Sequence, residues 1–121
     1  MKPSYDESNM EPVVLPSVFP NMLANGNAGI AVGMSANLVP HNLGEVVDGI
    51  IAYIRNKHIT IDNLMKLIPA PDFPTGGTIV DGQRLPDIYK SGSGAVTVRA
   101  KYNILEERGR KIIEFYEVPY L

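Results

Sequence analysis

The chain has 121 residues, no cysteine and a formal net charge of −2. This length fits about one domain. The lack of cysteine excludes disulfides and thiolate metal sites and fits a reducing, cytoplasmic setting. A slightly acidic balance also argues against a domain that binds DNA mainly through its own positive charge, because such domains are usually basic.

Charge is distributed unevenly along the chain. Residues 1–50 carry five acidic residues and one basic residue, whereas residues 51–121 carry eight acidic and ten basic residues. Residues 12–44 contain no Asp, Glu, Lys or Arg. A gap of this length indicates a segment that is buried or that meets a partner without ion pairs. The charge pattern therefore predicts weak electrostatic affinity for DNA.

The first half predicts short elements followed by one clear helix. Residues 1–12 are polar and predict an extended lead-in, and the three prolines in 11–20 favour an irregular edge strand. Residues 20–26 predict a short helical turn that Gly26 closes. Residues 30–34 predict a short strand. Residues 43–56 predict a helix with Asn42 as N-cap and Glu45 in the first turn, and its apolar stripe is Leu43, Val46, Val47, Ile50, Ile51 and Ile54.

The second half predicts a second helix over 61–68, capped by Thr60 and stopped by Pro69. A proline-rich connector follows, then a short strand at 78–80, one helical turn at 85–90 and a glycine-rich loop. Residues 96–104 and 111–118 predict a hairpin with a charged tip at 106–110. The fold class is therefore α+β, a helix pair with a small, mostly antiparallel sheet and a late β-hairpin.

Two groups of residues are candidates for DNA contact. Leu38 is a single large aliphatic residue followed by Val39 and Pro40, so a stiff turn can present it as a wedge between DNA base steps. The alternative is that Leu38 packs in the core. The polar residues around the wedge are Ser35, Asn37 and His41, and His41 either touches a phosphate or sugar or makes a surface hydrogen bond. Asn42 is better explained as a helix cap.

A second candidate surface lies on the predicted late strand. Arg99 and Lys101 are two residues apart and should point to the same side of a continuous strand. That side is either a solvated sheet face or a contact with the DNA backbone.

Other catalytic and cofactor motifs are absent or incomplete. Gly26, Gly29 and Gly33 do not have the dinucleotide-binding spacing, and turns or close packing explain them better. The two histidines, His41 and His58, have no cysteine or carboxylate at metal-ligand spacing. No Ser–His–Asp arrangement can be argued from the spacings. The segment therefore offers no catalytic, cofactor or metal residues of its own.

Several short motifs follow one another in colinear order over nearly the whole chain. They are Tyr5–Asp6, Glu11–Pro16, Phe19–Gly26, Gly29–Leu43, Asn42–Glu45, Ile68–Gly77, Tyr89–Gly94 and Val118–Tyr120. Together these motifs resemble the A subunit of bacterial type IIA DNA topoisomerases, that is, gyrase or topoisomerase IV. In the family, the aliphatic residue at the position of Leu38 intercalates into and bends the DNA segment that is cut.

This resemblance implies a piece of a larger enzyme. Residues 1–121 would be a single partial domain from the tower region, and the nucleophilic tyrosine, in an Arg-Tyr-Thr context upstream, is not in this sequence. The full enzyme would pass one duplex through another in a heterotetramer with the B subunit, which holds ATP and Mg²⁺. Two departures weaken the pattern, since Val39 replaces a common proline and Ser93 a common arginine. The alternative is a stand-alone, non-catalytic interaction module or a truncated remnant of the same enzyme.

Overall fold

The computed structural model describes residues 1–14 and 16–120. Its elements in chain order are the strands β1 (Lys2–Pro3) and β2 (Met10–Glu11), helix α1 (Asn21–Asn25), strands β3 (Asn27–Ala31) and β4 (Met34–Leu38), helices α2 (Leu43–Arg55) and α3 (Ile61–Leu64), strand β5 (Thr78–Ile79), helix α4 (Leu85–Ser91), and strands β6 (Val98–Arg99), β7 (Lys101–Glu107) and β8 (Arg110–Glu117). Helices and strands are mixed along the chain, which confirms the α+β class.

Among the described residues, the strands form four separate two-stranded antiparallel ladders, β1–β2, β3–β4, β5–β6 and β7–β8. The expected small sheet is thus divided into ribbons. The late hairpin is confirmed as β7–β8, with Glu107 opposite Arg110. Its tip contains Arg108 and Gly109, both at positive φ (52° and 77°).

The sequence predicted an extended lead-in over residues 1–12, and the structure pairs the two ends of this stretch in a small hairpin. Lys2 lies opposite Glu11 in the ladder, and the Ser4 amide donates to the Asn9 carbonyl at 2.9 Å. The Asp6 carboxylate stabilises the turn by accepting hydrogen bonds from the hydroxyls of Ser4 and Ser8 at 2.6 and 2.8 Å. The edge strand predicted for 11–20 does not extend past Glu11 among residues 12–14 and 16–20, and Leu15 lies outside the described residues.

The structure confirms the turn-like helix α1 and changes the interpretation of the residues after it. Pro20 precedes the helix and Gly26, at φ +72°, follows it. The strand predicted for 30–34 was wrong, because Gly33 adopts φ +78° and reverses the chain between β3 and β4. Gly29 and Gly33 are not close-packing positions, since a Cβ at either would meet nothing within 4 Å.

The predicted long helix is confirmed as α2. The Asn42 side chain accepts hydrogen bonds from the amides of Gly44 and Glu45 at 3.0 and 3.3 Å, which caps the helix N-terminus. Helix α3 is capped by Thr60 but is shorter than predicted. Hydrogen-bonded turns continue from it as far as Ile68.

The core of the described residues is small and lies between α2 and its neighbours. Two of its buried apolar side chains are Val46 on α2, which is 1% exposed, and Leu85 on α4, which is 5% exposed. Gly49 is also buried and lets α2 approach Ile68, whose Cδ1 lies 2.7 Å from the place a Cβ would occupy. The rest of the predicted apolar stripe on α2 stays partly open to solvent.

Candidate nucleic-acid interface

The hairpin β3–β4 presents an uncharged and largely apolar surface. The side chains of Ile30, Val32 and Met34 are 94%, 104% and 72% exposed. Antiparallel pairing places Leu38, at the end of β4, opposite Asn27. The hairpin therefore projects apolar side chains outward, and Leu38 stands at its base.

The two faces of β4 separate the predicted DNA contacts. Alternate side chains of a strand point to opposite sides, so Leu38 shares a face with Met34 and Ala36. Ser35 and Asn37 are exposed on the other face. The structure therefore does not group Ser35 and Asn37 with Leu38, and any partner that all three contact must reach both faces of the ribbon.

Leu38 itself is half-buried, so it is not enclosed in the core. The backbone that follows it is held more tightly than its own side chain. Val39 is half-buried and Pro40 is buried. The Pro40 carbonyl accepts a hydrogen bond from the Asp72 amide at 2.9 Å. We call residues 38–41 the wedge turn.

Gly26 lets helix α1 approach the wedge turn closely. A Cβ on Gly26 would overlap the Leu38 carbonyl oxygen and lie 3.0 Å from the Pro40 nitrogen. The His41 amide also donates to the Ala24 carbonyl at 3.2 Å. Helix α1 and the connector around Asp72 thus both support the backbone of the wedge turn.

His41 is only 8% exposed, so it is not a surface histidine. Its Nδ1 lies 3.3 Å from the Leu23 carbonyl oxygen and its Nε2 lies 2.8 Å from the Tyr89 hydroxyl. Both ring nitrogens therefore have partners within the chain, and neither is free to bind a phosphate. This geometry argues against direct contact with a phosphate or sugar, which was one of the two interpretations that the sequence left open for His41.

Asn42 is occupied as the cap of α2, and its Nδ2 donates to the Asp72 carboxylate at 3.2 Å. The prediction that this side chain acts as a cap is confirmed. The same contact joins the start of α2 to the connector, so the wedge turn and the helix after it share one support.

Arg99 and Lys101 do not form the predicted two-cation face. The strand is interrupted at Ala100, because β6 pairs with β5 and β7 pairs with β8. A two-residue periodicity of side-chain direction therefore does not apply across the break. Arg99 is exposed, whereas Lys101 Nζ is 3.0 Å from a carboxylate oxygen of Glu117. The positive charge of Lys101 is thus largely neutralised.

Glu117 also joins the hairpin β7–β8 to the connector. Its Oε2 accepts a hydrogen bond from the Gly77 amide at 2.5 Å, and the Thr75 hydroxyl donates to the Val118 carbonyl at 2.6 Å. The Gly77 amide and the Lys101 ammonium hold the pKa of Glu117 below its ordinary value of 4.5. The carboxylate in turn raises the pKa of Lys101 above 10.5.

We call the contacts of the Glu117 carboxylate with the Gly77 amide and the Lys101 ammonium the latch. The latch makes a pH-dependent contribution to the stability of the fold. Because the pKa of Glu117 is lowered on folding, its contribution is present above about pH 4.5 and is lost as the pH falls through the lowered value. The pKa of Lys101 is raised on folding, so its stabilising contribution is present at neutral pH and is lost only as the pH rises into the alkaline range. We expect Glu117→Gln to lower the free energy of unfolding at pH 7, and the difference from the parent chain to shrink at pH 3.

Urea unfolding of the chain at both pH values measures this difference. Glu114→Gln is the matched control, since Glu114 lies on the same strand and makes none of the ion pairs found among the described residues. A Glu117→Gln variant as stable as the parent at pH 7 would contradict the latch.

Sequence reasoning missed three residues that support the wedge turn. Tyr89 lies 48 positions after His41, Asp72 lies in a proline-rich connector, and the sequence marks Gly26 as a helix stop or close-packing glycine without indicating which segment it meets. Local periodicity cannot pair residues so far apart. The only sequence signal at Gly26 was that a glycine can adopt positive φ and permits close backbone approach.

Comparison with known proteins identifies the family. The family model described as the A subunit of DNA gyrase/topoisomerase IV matches residues 1–121. The chain therefore belongs to the family of DNA gyrase and topoisomerase IV A subunits. This result confirms the resemblance seen in the sequence motifs.

Curated relatives with similar sequences are named as DNA gyrase A subunits. The protein of Leptospira biflexa is 50% identical over 119 residues, which cover 98% of this chain and 14% of the relative. Those of Metamycoplasma arthritidis and Clostridium acetobutylicum are both 52% identical, over 97% and 98% of this chain and 13% and 14% of the relatives. The chain thus spans about one seventh of the length of these relatives.

Two features are absent from the part of the chain that the structure describes. No helix in residues 1–14 and 16–120 is long and apolar enough to cross a membrane. Within that same part of the chain, no three His, Cys, Asp or Glu side chains are grouped so that they could hold a metal ion.

Proposed function

We propose that this chain is the DNA-bending segment of a type IIA topoisomerase A subunit, with Leu38 as the wedge that enters between base steps. One observation carries the proposal. Leu38 is partly accessible while the backbone around it is fixed by Gly26, Pro40 and Asp72. A wedge requires a rigid support, because unstacking a base step costs a few kcal/mol. A flexible turn would move aside instead of separating the bases.

The bend offsets that cost by bringing more phosphates onto the protein. The described segment offers few free cations near the wedge turn, since residues 12–44 have no charge and Lys101 is paired with Glu117. Arg99 is the better remaining candidate for a phosphate contact. We propose that the rest of the A subunit supplies most of the positive surface.

The whole protein is proposed to act as its family does. In that hypothesis the segment belongs to the tower region of a cytoplasmic enzyme that passes one DNA duplex through a double-strand break in another. The B subunit would complete the heterotetramer and hold ATP and Mg²⁺. The stand-alone interaction module is less favoured, because the family match extends over the entire chain.

A bending assay tests the wedge. The segment would replace its counterpart in the full-length A subunit of Clostridium acetobutylicum, together with the matching B subunit, and energy transfer between dyes at the ends of a short duplex would report bending. We expect Leu38→Ala to lower the ratio of bent to straight DNA at least about tenfold, because the methyl side chain is too short to hold a step open.

Met34→Ala is the matched control. Met34 lies on the same face of β4 but is 72% exposed near the hairpin tip, so we expect bending close to that of the parent chimera. Unchanged bending by Leu38→Ala would contradict the assignment. A parent chimera that assembles and binds DNA but leaves it straight would contradict it as well.

A further inference from the structure

The hydrogen bonds of His41 select the tautomer of its neutral ring. A carbonyl oxygen can only accept, so Nδ1, at 3.3 Å from the Leu23 carbonyl oxygen, carries the hydrogen. In the neutral ring Nε2 then has a lone pair, which accepts from the Tyr89 hydroxyl at 2.8 Å. The two rings are also in contact, with centroids 5.9 Å apart and planes tilted by 38°.

The Tyr89 hydroxyl is the donor of the hydrogen bond to His41 Nε2. Burial, with a smaller effect of the Glu45 carboxylate, raises the pKa of Tyr89 to about 12. The hydroxyl therefore keeps its proton at neutral pH. Helix α4, which carries Tyr89, is itself anchored by the buried Leu85.

The hydrogen bond between His41 and Tyr89 links the wedge turn to helix α4 through side chains. His41 is three residues after Leu38, and the residues between them have little freedom because Pro40 is buried and has a fixed φ. The other supports reach the turn through its backbone, from Gly26, Ala24 and Asp72. Without the Tyr89 hydroxyl, the ring of His41 would keep only its longer bond to the Leu23 carbonyl.

We propose that Tyr89 and His41 form a positioning pair that holds the wedge turn against helix α4 and so keeps Leu38 aimed at the DNA. This inference rests on the proposed function. In this proposal neither side chain contacts the DNA, and both act by positioning Leu38. The contact between the two side chains connects the wedge turn to helix α4, because Tyr89 lies 48 residues after His41. This connection goes beyond the assignment of the chain to its family.

The test uses Tyr89→Phe in the same full-length chimera with its B subunit, since the ring remains and only the hydroxyl is lost. We expect the ratio of bent to straight DNA to fall about fivefold, the usual effect of one hydrogen bond. The affinity for DNA that is held straight should not change. Tyr53→Phe is the control, because Tyr53 lies on α2, is 51% exposed and makes no side-chain hydrogen bond in the described residues.

Combination with Leu38→Ala shows whether the pair acts through the wedge. If it does, Tyr89→Phe has no further effect once the leucine is gone, so the two changes are not additive. An effect of Tyr89→Phe that persists in the Leu38→Ala background would overturn the inference. If Leu38→Ala lowers bending and Tyr89→Phe alone does not, the inference fails while the proposed function stands. If Leu38→Ala has no effect, the proposed function fails.

A second pair of variants separates positioning from folding. His41→Gln keeps an amide that can accept from Tyr89, whereas His41→Leu has similar size and no polar atom. We expect His41→Gln to retain more bending than His41→Leu even if both lower the melting temperature equally. Equal bending by the two variants would count against the pair.

Discussion

Replacing Gly26 with alanine is expected to destabilise the chain by about 3 kcal/mol and to displace the wedge turn. Gly26 has φ +72° and ψ −179°, a backbone conformation that is essentially restricted to glycine. A methyl group there would also overlap the Leu38 carbonyl oxygen. The obstacle is backbone, so no side-chain rotation can remove the clash.

Urea unfolding of the chain measures the loss of stability, and the bending assay on the full-length chimera measures the displacement. Gly29→Ala is the matched control, since Gly29 is nearby in β3 and a Cβ there would meet nothing within 4 Å. We expect Gly29→Ala to be close to neutral. A Gly26→Ala variant with the stability and bending of Gly29→Ala would show that the close approach is not needed.

Replacing Val46 with aspartate is expected to unfold the described core. Val46 is 1% exposed and has the largest fully buried side chain of the described residues. An unpaired carboxylate at that place would cost about 4 kcal/mol or more. With so small a core, the loss would exceed what the remaining contacts can offset, and α2 would separate from its neighbours.

Circular dichroism of the chain on heating tests this expectation, together with the solubility of the full-length chimera. The control is Ile54→Asp, the same change on the same helix at a position that is 68% exposed. We expect that variant to melt within a few degrees of the parent. A cooperative transition retained by Val46→Asp at the parent temperature would mean that the core lies elsewhere.

The sequence predicted the elements whose signals are local. Helix α2 ends within one residue of its predicted end, because an apolar period of 3.6 residues and the Asn42 cap act within the segment itself. Helix α1 and the hairpin β7–β8 followed from Pro20, Gly26 and the alternation of apolar side chains. The wedge residue, Leu38, came from a local motif and its family resemblance, and its role remains a proposal.

Predictions failed where the outcome depended on distant residues. An apolar run around Gly33 suggested one strand, but the glycine turns the chain so that β3 and β4 pair with each other. Arg99 and Lys101 were expected to be neighbours on one strand, whereas the ladder changes partner at Ala100 and Glu117 neutralises Lys101. His41 was expected near the surface, and Tyr89 helps to bury it.

The amino-acid sequence by itself determined the family, the α+β class and the bounds of the long helix, because residue order and hydrophobic period are properties of short stretches. The tertiary structure alone decided which face of α2 is covered, since Val46 and Gly49 are buried while Val47 and Ile51 remain 39% and 41% exposed. It also decided how the wedge turn is held. The contacts that hold it form only when segments far apart in the chain meet, and no local pattern encodes such meetings.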